Sequence, residues 1–387
     1  MSFYKTMRVL HIANWYPNPW NVIEGNFIRD QIKLFREVVV AEVVVVQVRH
    51  DPKAWMRFRT IDLGDGVRGY FVFTRLQEGG KASILLTTLL LLFVLICKRA
   101  WRFTILHFHI AIPLLIHVGL WNRLLRKKIL ISEHYSAYHY NFNLPSRSKG
   151  IATLGRPFAQ RFPVLAVSNA LLSDIRNFSG YDDFPGCVIA NVVPLHGPSG
   201  ISNSVPILFA VNRWVEIKDP FPMLEGLARA ASAGVEFELV LGGFGPLEMK
   251  MKDFVSRSVL STRSQFLGYM AKAEIAKKLA HVDGYLFSSR YETFSIACAE
   301  ALGAGVPLIG PRIPAIAEYA SPDDWEVVEN RDALSWEKAL RCFSKRHSEG
   351  AFIPTEIAAR AAENFSPDVM KTRYCNILAA IVSGDTT

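Results

Sequence analysis

Short runs of β-branched and other apolar residues alternate along the chain with longer amphipathic segments. This alternation is typical of parallel sheets whose strands are joined by crossover helices on both faces. The pattern therefore predicts an α/β protein with two doubly wound, Rossmann-like domains. We predict one series of strands at residues 8–13, 38–48, 68–73, 105–109, 128–132 and 164–168, and a second at 188–192, 206–211, 237–241, 265–268, 284–288 and 306–310.

The length of 387 residues is about twice that of a usual single domain, which agrees with two domains. Residues 195–204 are rich in turn formers and poor in large apolar side chains, as in a linker. We predict a first domain at 1–195, a linker at 196–204, a second domain at 205–365, and a C-terminal helix at 366–387 that packs back toward the first domain. Doubly wound sheets bind ligands beyond the C-terminal ends of their strands, so we expect two domains facing across a cleft that holds the site.

Residues 82–97 are uncharged and rich in leucine, between Lys81 and the pair Lys98-Arg99. A membrane-spanning helix needs about twenty residues, so this segment is too short to cross a bilayer. Two interpretations remain open: a helix packed within the first domain, or a helix lying in the membrane interface.

The net charge of +9 is unevenly distributed. Residues 1–194 carry 24 Lys and Arg against 12 Asp and Glu, whereas residues 195–387 carry 20 against 23. A basic first half suggests a membrane surface, a nucleic acid or an acidic acceptor as its partner, or only a basic surface that favours solubility. The five scattered cysteines and the absence of an apolar leader segment indicate the cytoplasm.

The strongest local signal is the segment 290–307, which follows a predicted strand and is expected to open a helix near Thr293. Glu292 and Glu300 would then lie about 12 Å apart along the helix, roughly the span from a ribose to a second sugar. The free backbone N–H groups at Ser295 and Ile296 could bind an anion. The alternative is a helix on which Glu292 assists capping and Glu300 faces solvent.

Three further loops carry polar candidates. Arg213 and Lys218 lie in one strand-to-helix loop, where two cations can converge on an anion or simply be solvated. His134 directly follows a strand. It is either a ligand of the substrate or a structural histidine. His107 and His109 are expected on opposite faces of their strand, with no ligand cluster nearby, so no metal site is predicted.

Two glycines also stand after strands. Gly25 is expected at a helix start, where its missing side chain would let a ligand approach the backbone. Gly243 belongs to a tight glycine turn in the second domain. The chain has neither a dinucleotide fingerprint nor a phosphate-binding Gly-x-x-x-x-Gly-Lys-Ser/Thr loop.

The order and placement of these features resemble those of the retaining family 4 glycosyltransferases of GT-B fold. The resemblance runs over nearly the whole chain and is most specific in the second half. The matching positions are Gly25, Ser132-Glu-His134, Ala166-Val-Ser168, Asn191-Val-Val193, Arg213 with Lys218, Gly243-Phe-Gly-Pro-Leu247, Phe266-Leu-Gly268, and Glu292 with Glu300.

The resemblance implies transfer of a sugar from a nucleotide-diphosphate sugar to a lipid-linked or saccharide acceptor, with retention of anomeric configuration, in surface polysaccharide or glycolipid biosynthesis. It assigns the diphosphate to cations, the ribose and donor sugar to two carboxylates, the distal phosphate to backbone amides, and positions beside the donor to the first domain. The cations are Arg213 and Lys218, the carboxylate at the ribose is Glu300, and the carboxylate at the donor sugar is Glu292. The amides are those of Ser295 and Ile296, with Thr293, Phe294 and Gly243 in the same donor site. The first-domain positions beside the donor are His134 and Gly25.

With no Asp-x-Asp in the chain, the cations and the helix terminus would replace a divalent ion, so no metal or other cofactor is expected. We expect catalysis from Glu292, His134, Arg213 and Lys218, a cytoplasmic protein with peripheral attachment to the anionic inner face of the membrane, and no nucleic-acid partner. A nucleotide-sugar 2-epimerase of the same fold and a degenerate sugar-binding protein remain alternatives.

The chain departs from the family where glycines are frequent. Thr293 and Ser295 follow the first glutamate and the phenylalanine, and Asn212 and Asp219 stand beside the two cations. These replacements leave the fold expectation unchanged but bear on which donor is accepted and on activity.

Overall fold

The computed structural model describes residues 6–145, 148–195, 197–198 and 203–384. It divides into two compact units. One contains the described residues of Met1–Val192 and of Pro367–Thr387, and the other those of Val193–Ser366.

The first unit is built on an eight-stranded sheet with the order β3-β4-β2-β1-β5-β6-β7-β8. All neighbouring strands are parallel except β3 and β4, which pair antiparallel at one edge. Central strands such as β1 and β5 are buried on both faces, and apart from Arg8 and the histidines His11, His107 and His109 their residues are apolar. The strands are β1 (Arg8–Ala13), β2 (Val40–His50), β3 (Met56–Asp62), β4 (Val67–Thr74), β5 (Ile105–His109), β6 (Lys128–Glu133), β7 (Val164–Ala166) and β8 (Gly186–Val188).

Five crossover helices of this unit are α1 (Asn26–Phe35), α2 (Lys81–Cys97), α3 (Val118–Leu125), α4 (Lys149–Leu154) and α5 (Asn169–Ser179). Residues 82–97 thus form nearly all of α2, which packs one face on β2 and β4. That inner face carries Thr87 and Thr88, whose hydroxyls donate to helix carbonyls one turn earlier. Leucines are left on the opposite, exposed face.

The last helix of the chain, Pro367–Ser383, belongs to the same unit. Its Met370, Tyr374 and Leu378 are buried in one core cluster with Phe35 and Leu130. The Tyr374 ring stacks on Phe35 with 3.7 Å between ring centres. A large part of this core is therefore supplied by residues distant in sequence.

The second unit contains a six-stranded, fully parallel sheet with the order β11-β10-β9-β12-β13-β14. Its core includes Trp214, Leu227, Leu241, Leu286 and Trp336. The strands are β9 (Ile207–Arg213), β10 (Glu238–Phe244), β11 (Ser264–Gly268), β12 (Gly284–Leu286), β13 (Leu308–Pro311) and β14 (Trp325–Val328). The helices are α6 (Pro220–Ser232), α7 (Glu248–Ser256), α8 (Lys272–Leu279), α9 (Ile296–Gly303), α10 (Pro314–Ala317), α11 (Ala333–Ser348) and α12 (Pro354–Phe365), and the Pro367–Ser383 helix is α13.

The α/β class with two parallel sheets is confirmed, with three differences among the strands. β3 and β14 lie at sheet edges and were not predicted. The strand predicted at 188–192 is wrong, since the strand spans Gly186–Val188 and pairs with β7 in the first sheet. No helix among the described residues combines the length and apolarity that crossing a membrane requires.

Candidate active site

Strand order places the candidate residues of the second unit at one point of its sheet. β9 is the first strand of this unit, β10 pairs on one side of it, and β12 pairs on the other. The connections after β9 and β12 therefore lead away in opposite directions, which makes a topological switch point. Lys218 follows β9 and Glu292 follows β12, so both lie at the edge where open α/β sheets bind ligands.

A charged pair joins these two connections. Lys218 Nζ donates to Glu292 Oε1 at 2.5 Å, and the Ser289 hydroxyl donates to the same oxygen at 2.6 Å. The Lys218 and Glu292 side chains are only 20% and 16% exposed, so the pair is shielded from solvent. The sequence predicted both residues in the site but not their contact, and it did not identify Ser289.

Neighbouring contacts hold the two connections in place. The Ser288 hydroxyl donates to the carbonyl of Lys218, and the Arg290 backbone N–H donates to the carbonyl of Ile217. Arg290 also forms two hydrogen bonds to the Asp219 carboxylate, at 2.8 and 2.9 Å. This bidentate geometry fixes the orientation of the Arg290 guanidinium as well as its distance from the Asp219 carboxylate. Asp219 therefore has a partner that a glycine at this position would lack.

The helix expected near Thr293 begins three residues later, at Ile296, so the predicted start is wrong. Ser295 caps it with φ of +67°, a left-handed conformation that L-residues adopt at a cost. The chain cannot continue a right-handed helix through such a residue. Tyr319 holds the turn, because its hydroxyl donates to the carbonyls of Phe294 and Ser295 at 2.9 and 3.1 Å.

The later start changes the geometry of the two carboxylates. Glu292 precedes α9 and is not part of it, and Glu300 is the fifth residue of the helix, about 6 Å along its axis from Ile296. The expected separation of 12 Å along one helix therefore does not apply. Phe294 is buried between Tyr319 and Phe365, whereas Thr293 and Glu300 are half-buried.

Arg213 ends β9, and Gly243 lies near the end of β10 opposite Asn212, the residue before Arg213. Arg213 is exposed and, within the described residues, its side chain has no hydrogen bond or ion pair. Gly243 has φ of +100°, and a Cβ there would come 1.8 Å from the Asn212 carbonyl oxygen. The glycine turn thus lets β10 pack against the strand end that presents Arg213.

The first unit places His134 directly after β6, where it is 7% exposed. Burial lowers the pKa of His134 to about 3, so the ring is neutral at pH 7. Asn191 lies beside it without hydrogen-bond geometry, and neither ring nitrogen has a partner among the described residues. A neutral imidazole with free nitrogens can donate to or accept from a sugar hydroxyl.

The neighbouring Glu133 is fully buried and was not singled out from the sequence. Its Oε1 accepts from the Ala111 backbone N–H at 2.7 Å and from the Tyr138 hydroxyl at 2.8 Å. Burial raises the pKa of Glu133 to about 7, and the hydrogen bonds oppose that shift. In the sequence it ends an apolar strand and lies within the matching segment Ser132-Glu-His134, where no role was assigned to it.

Gly25 caps α1 with φ of +62°, as expected for a helix start. A Cβ on Gly25 would come 2.6 Å from the carbonyl carbon and oxygen of Trp15. The group that approaches Gly25 closely is therefore the backbone of its own loop. The glycine is required by chain packing whether or not a ligand also approaches.

The expectation that His107 and His109 point to opposite faces is wrong, because residues two apart on a strand share a face. Together with His11 they form a buried stack whose ring nitrogens lie within 4.8 Å of one another and could hold a metal ion. His107 already bonds Tyr374 and Ser132, and His11 Nδ1 lies 3.0 Å from His109 Nε2. The prediction of no metal stays a prediction.

In a comparison with known proteins, most of the second unit matches a protein family. Residues 195–349 match the family model described as glycosyl transferases group 1. A GDP-mannose-dependent alpha-(1-6)-phosphatidylinositol dimannoside mannosyltransferase from Mycobacterium tuberculosis is 30% identical over 109 residues, 28% of each chain. N-acetyl-alpha-D-glucosaminyl L-malate synthase from Bacillus anthracis is 28% identical over 232 residues, 57% of this chain and 59% of the relative.

These matches thus span between about a quarter and three-fifths of the relatives' lengths. Among solved structures, HepE from Anabaena in complex with UDP and glucose aligns with a TM-score of 0.69 at 17% identity. That alignment covers 97% of this chain and 100% of HepE. The fold is that of the GT-B glycosyltransferases.

Proposed function

From the match of residues 195–349 to the family model of the group 1 glycosyl transferases, we propose that this protein transfers a sugar from a nucleotide-diphosphate sugar to a lipid-linked or saccharide acceptor. The observation that carries the proposal is the Lys218–Glu292 pair with Ser289 at the switch point of the second sheet. A cation and a carboxylate held side by side suit a ligand that has both a phosphate and hydroxyls.

In the donor site, Arg213 and Lys218 bind the diphosphate, and the amides of Ser295 and Ile296 face its distal phosphate. Glu292 accepts from donor-sugar hydroxyls and Glu300 from the ribose hydroxyls. Thr293, Phe294 and Gly243 shape the same site. The exposed, unpaired Arg213 supports this assignment, because its guanidinium is available to an anion in the structure as described.

The reaction breaks the bond between the anomeric carbon and the diphosphate oxygen and forms a bond from that carbon to an acceptor hydroxyl. The hydroxyl proton passes to the departing diphosphate, whose charge the two cations stabilise. We propose retention of configuration, with attack on the face that the diphosphate leaves. His134 serves as a neutral hydrogen-bonding group for a sugar hydroxyl, and Gly25 positions its loop.

We also propose that the reaction needs no metal, since cations of the chain can carry out the electrostatic work at the diphosphate. The basic first half and the exposed apolar face of α2 support attachment to the anionic cytoplasmic face of a membrane. Surface polysaccharide or glycolipid assembly would use such an acceptor and location.

A thermal-shift panel of nucleoside diphosphates and their sugars tests the donor site. UDP and GDP both belong in it, because the relatives' descriptions name both bases. We expect one diphosphate and its sugar to stabilise the protein, by about 2.7 kcal/mol at a concentration a hundred times the Kd. Arg213→Ala should abolish the shift, and Arg257→Ala, an exposed arginine of the same unit, should keep it.

The same donor then separates the alternatives. Release of the nucleoside diphosphate only when an acceptor is present supports a transferase, whereas interconversion of the donor sugar alone would indicate a 2-epimerase. A flat panel with folded protein would contradict the proposal and favour a degenerate binding protein. The anomeric configuration of the product, read by NMR, tests retention.

A further inference from the structure

The first unit has a groove beyond the C-terminal ends of its strands. Its lining comes from the segments that follow three of them: Gly79 and Lys81 after β4, Ile116 and His117 after β5, and Phe142 after β6. Helix α4 closes one side. This is the edge at which doubly wound sheets bind ligands, and the groove's volume of about 860 Å³ is in the range of small-molecule sites.

The groove wall is mainly apolar. Ile84 and Leu85 of α2 line it together with Ile116, Phe142 and Leu144. Leu85 is 54% exposed and belongs to the same outer face of α2 as Leu89. The groove therefore opens beside an apolar helix surface.

All the ionisable side chains that line the groove, apart from His117, are cationic. They are Lys81, Lys149 and Arg156, and no Asp or Glu lines it. Within the part of the chain that the structure describes, none of these three forms an ion pair. His117 is occupied differently, since its Nδ1 lies 2.8 Å from the Thr88 hydroxyl.

An apolar wall with three unpaired cations fits an amphiphile that has a long apolar chain and an anionic head. We propose that this groove binds the acceptor, and that the acceptor is an anionic lipid whose phosphate contacts Lys81, Lys149 and Arg156. The inference rests on the proposed glycosyl transfer and narrows its acceptor to the lipid-linked class. Saccharide acceptors without a lipid would leave the apolar wall without a partner.

Titration calorimetry with dodecyl phosphate below its micellar concentration tests the groove. We expect one saturable site per chain, with dodecyl maltoside and inorganic phosphate each binding at least about tenfold more weakly, because each offers only half of the contacts. Equal affinity for either of these two would overturn the proposal, since the site would then recognise only a chain or only an anion.

Two variants locate the binding. Lys149→Glu/Arg156→Glu should weaken dodecyl phosphate about tenfold or more by removing the charge contacts. Ala152→Trp, on the exposed side of α4 within the groove, should block the chain. The matched controls Lys250→Glu/Lys277→Glu and Ala273→Trp change exposed helix positions of the second unit and should bind as the native protein does. Unchanged binding in both groove variants would overturn the assignment.

The nucleotide panel keeps this inference separate from the proposed function. Donor stabilisation without dodecyl phosphate binding would contradict the lipid groove and leave the transferase proposal standing. Dodecyl phosphate binding in the groove without any donor stabilisation would contradict the transferase and support a lipid-binding protein. If the protein showed neither donor stabilisation nor dodecyl phosphate binding, both proposals would be overturned.

Discussion

The Lys218–Glu292 pair is the residue-scale feature on which the donor site depends. Removing one charge from a shielded pair leaves the other without compensation, and that loss exceeds what the pair contributes as a whole. Here Ser289 still donates to Glu292 when the lysine is absent, which limits the cost.

We therefore expect Lys218→Met to lower the free energy of unfolding by about 2 kcal/mol and to abolish stabilisation by the donor nucleotide. Adding Glu292→Gln to Lys218→Met should recover part of the stability, because the isolated carboxylate is gone, but not the nucleotide effect. Thermal unfolding with and without nucleotide measures both. Lys250→Met, at an exposed position of α7, is the control, and strictly additive losses in the double variant would contradict the coupling.

Among the described elements, β1, β5 and β6, with His134 directly after β6, carry the buried histidines and the buried carboxyl of the first unit. Burial lowers the pKa of His11 and His134 to about 3 and raises the pKa of Glu133 to about 7. The two effects oppose each other. Between pH 6.5 and 3 the unfolded chain binds more protons on these histidines than the folded chain does, so their contribution to stability falls as the pH falls. Between pH 7 and 4.5 the folded chain binds more protons on Glu133 than the unfolded chain does, so the contribution of Glu133 to stability rises as the pH falls.

Glu133→Gln removes only the second contribution. We expect this variant to lose stability more steeply than the native protein as the pH falls from 7 to 4.5, when both are followed by chemical denaturation at fixed pH values. Glu363→Gln, at an exposed position of α12 in the other unit, is the control and should keep the native pH profile. Parallel pH profiles for Glu133→Gln and the native protein would show that Glu133 titrates as it does in the unfolded chain.

Strands buried on both faces were predictable because most of their residues are apolar: 8–13 and 105–109 coincide with β1 and β5. β3 was missed because an exposed edge strand needs no such run, and its residues alternate Arg57, Phe58 and Arg59. The start of α9 was missed because a positive φ at Ser295 is a conformational property that a serine in the sequence does not announce.

The candidate site was predictable as a set of residues more than as a geometry. Lys218 and Glu292 were chosen for their positions after strands, and the parallel pairing of β9 with β12 explains why two residues 74 apart meet. Ser289 and Glu133 gave no pattern of their own, since a serine or a glutamate at a strand end is common.

At the scale of the whole molecule, the basic charge of the first half and the apolar outer face of α2 belong to the same unit. Leu85, Leu89, Phe93 and Ile96 are each about half or more exposed on that face. Apolar insertion and attraction to anionic headgroups act together at a membrane surface, and salt screens only the second.

We expect the whole chain to sediment with vesicles that contain phosphatidylglycerol, to bind pure phosphatidylcholine vesicles about tenfold more weakly, and to be released in part by salt. Phe93→Glu should reduce binding to the anionic vesicles severalfold, because a carboxylate on the outer face of α2 opposes both insertion and charge attraction. Leu334→Glu, equally exposed on α11 of the second unit, should bind like the native protein. Equal losses in the two variants would mean that net charge alone drives binding, and α2 would then have no part in it.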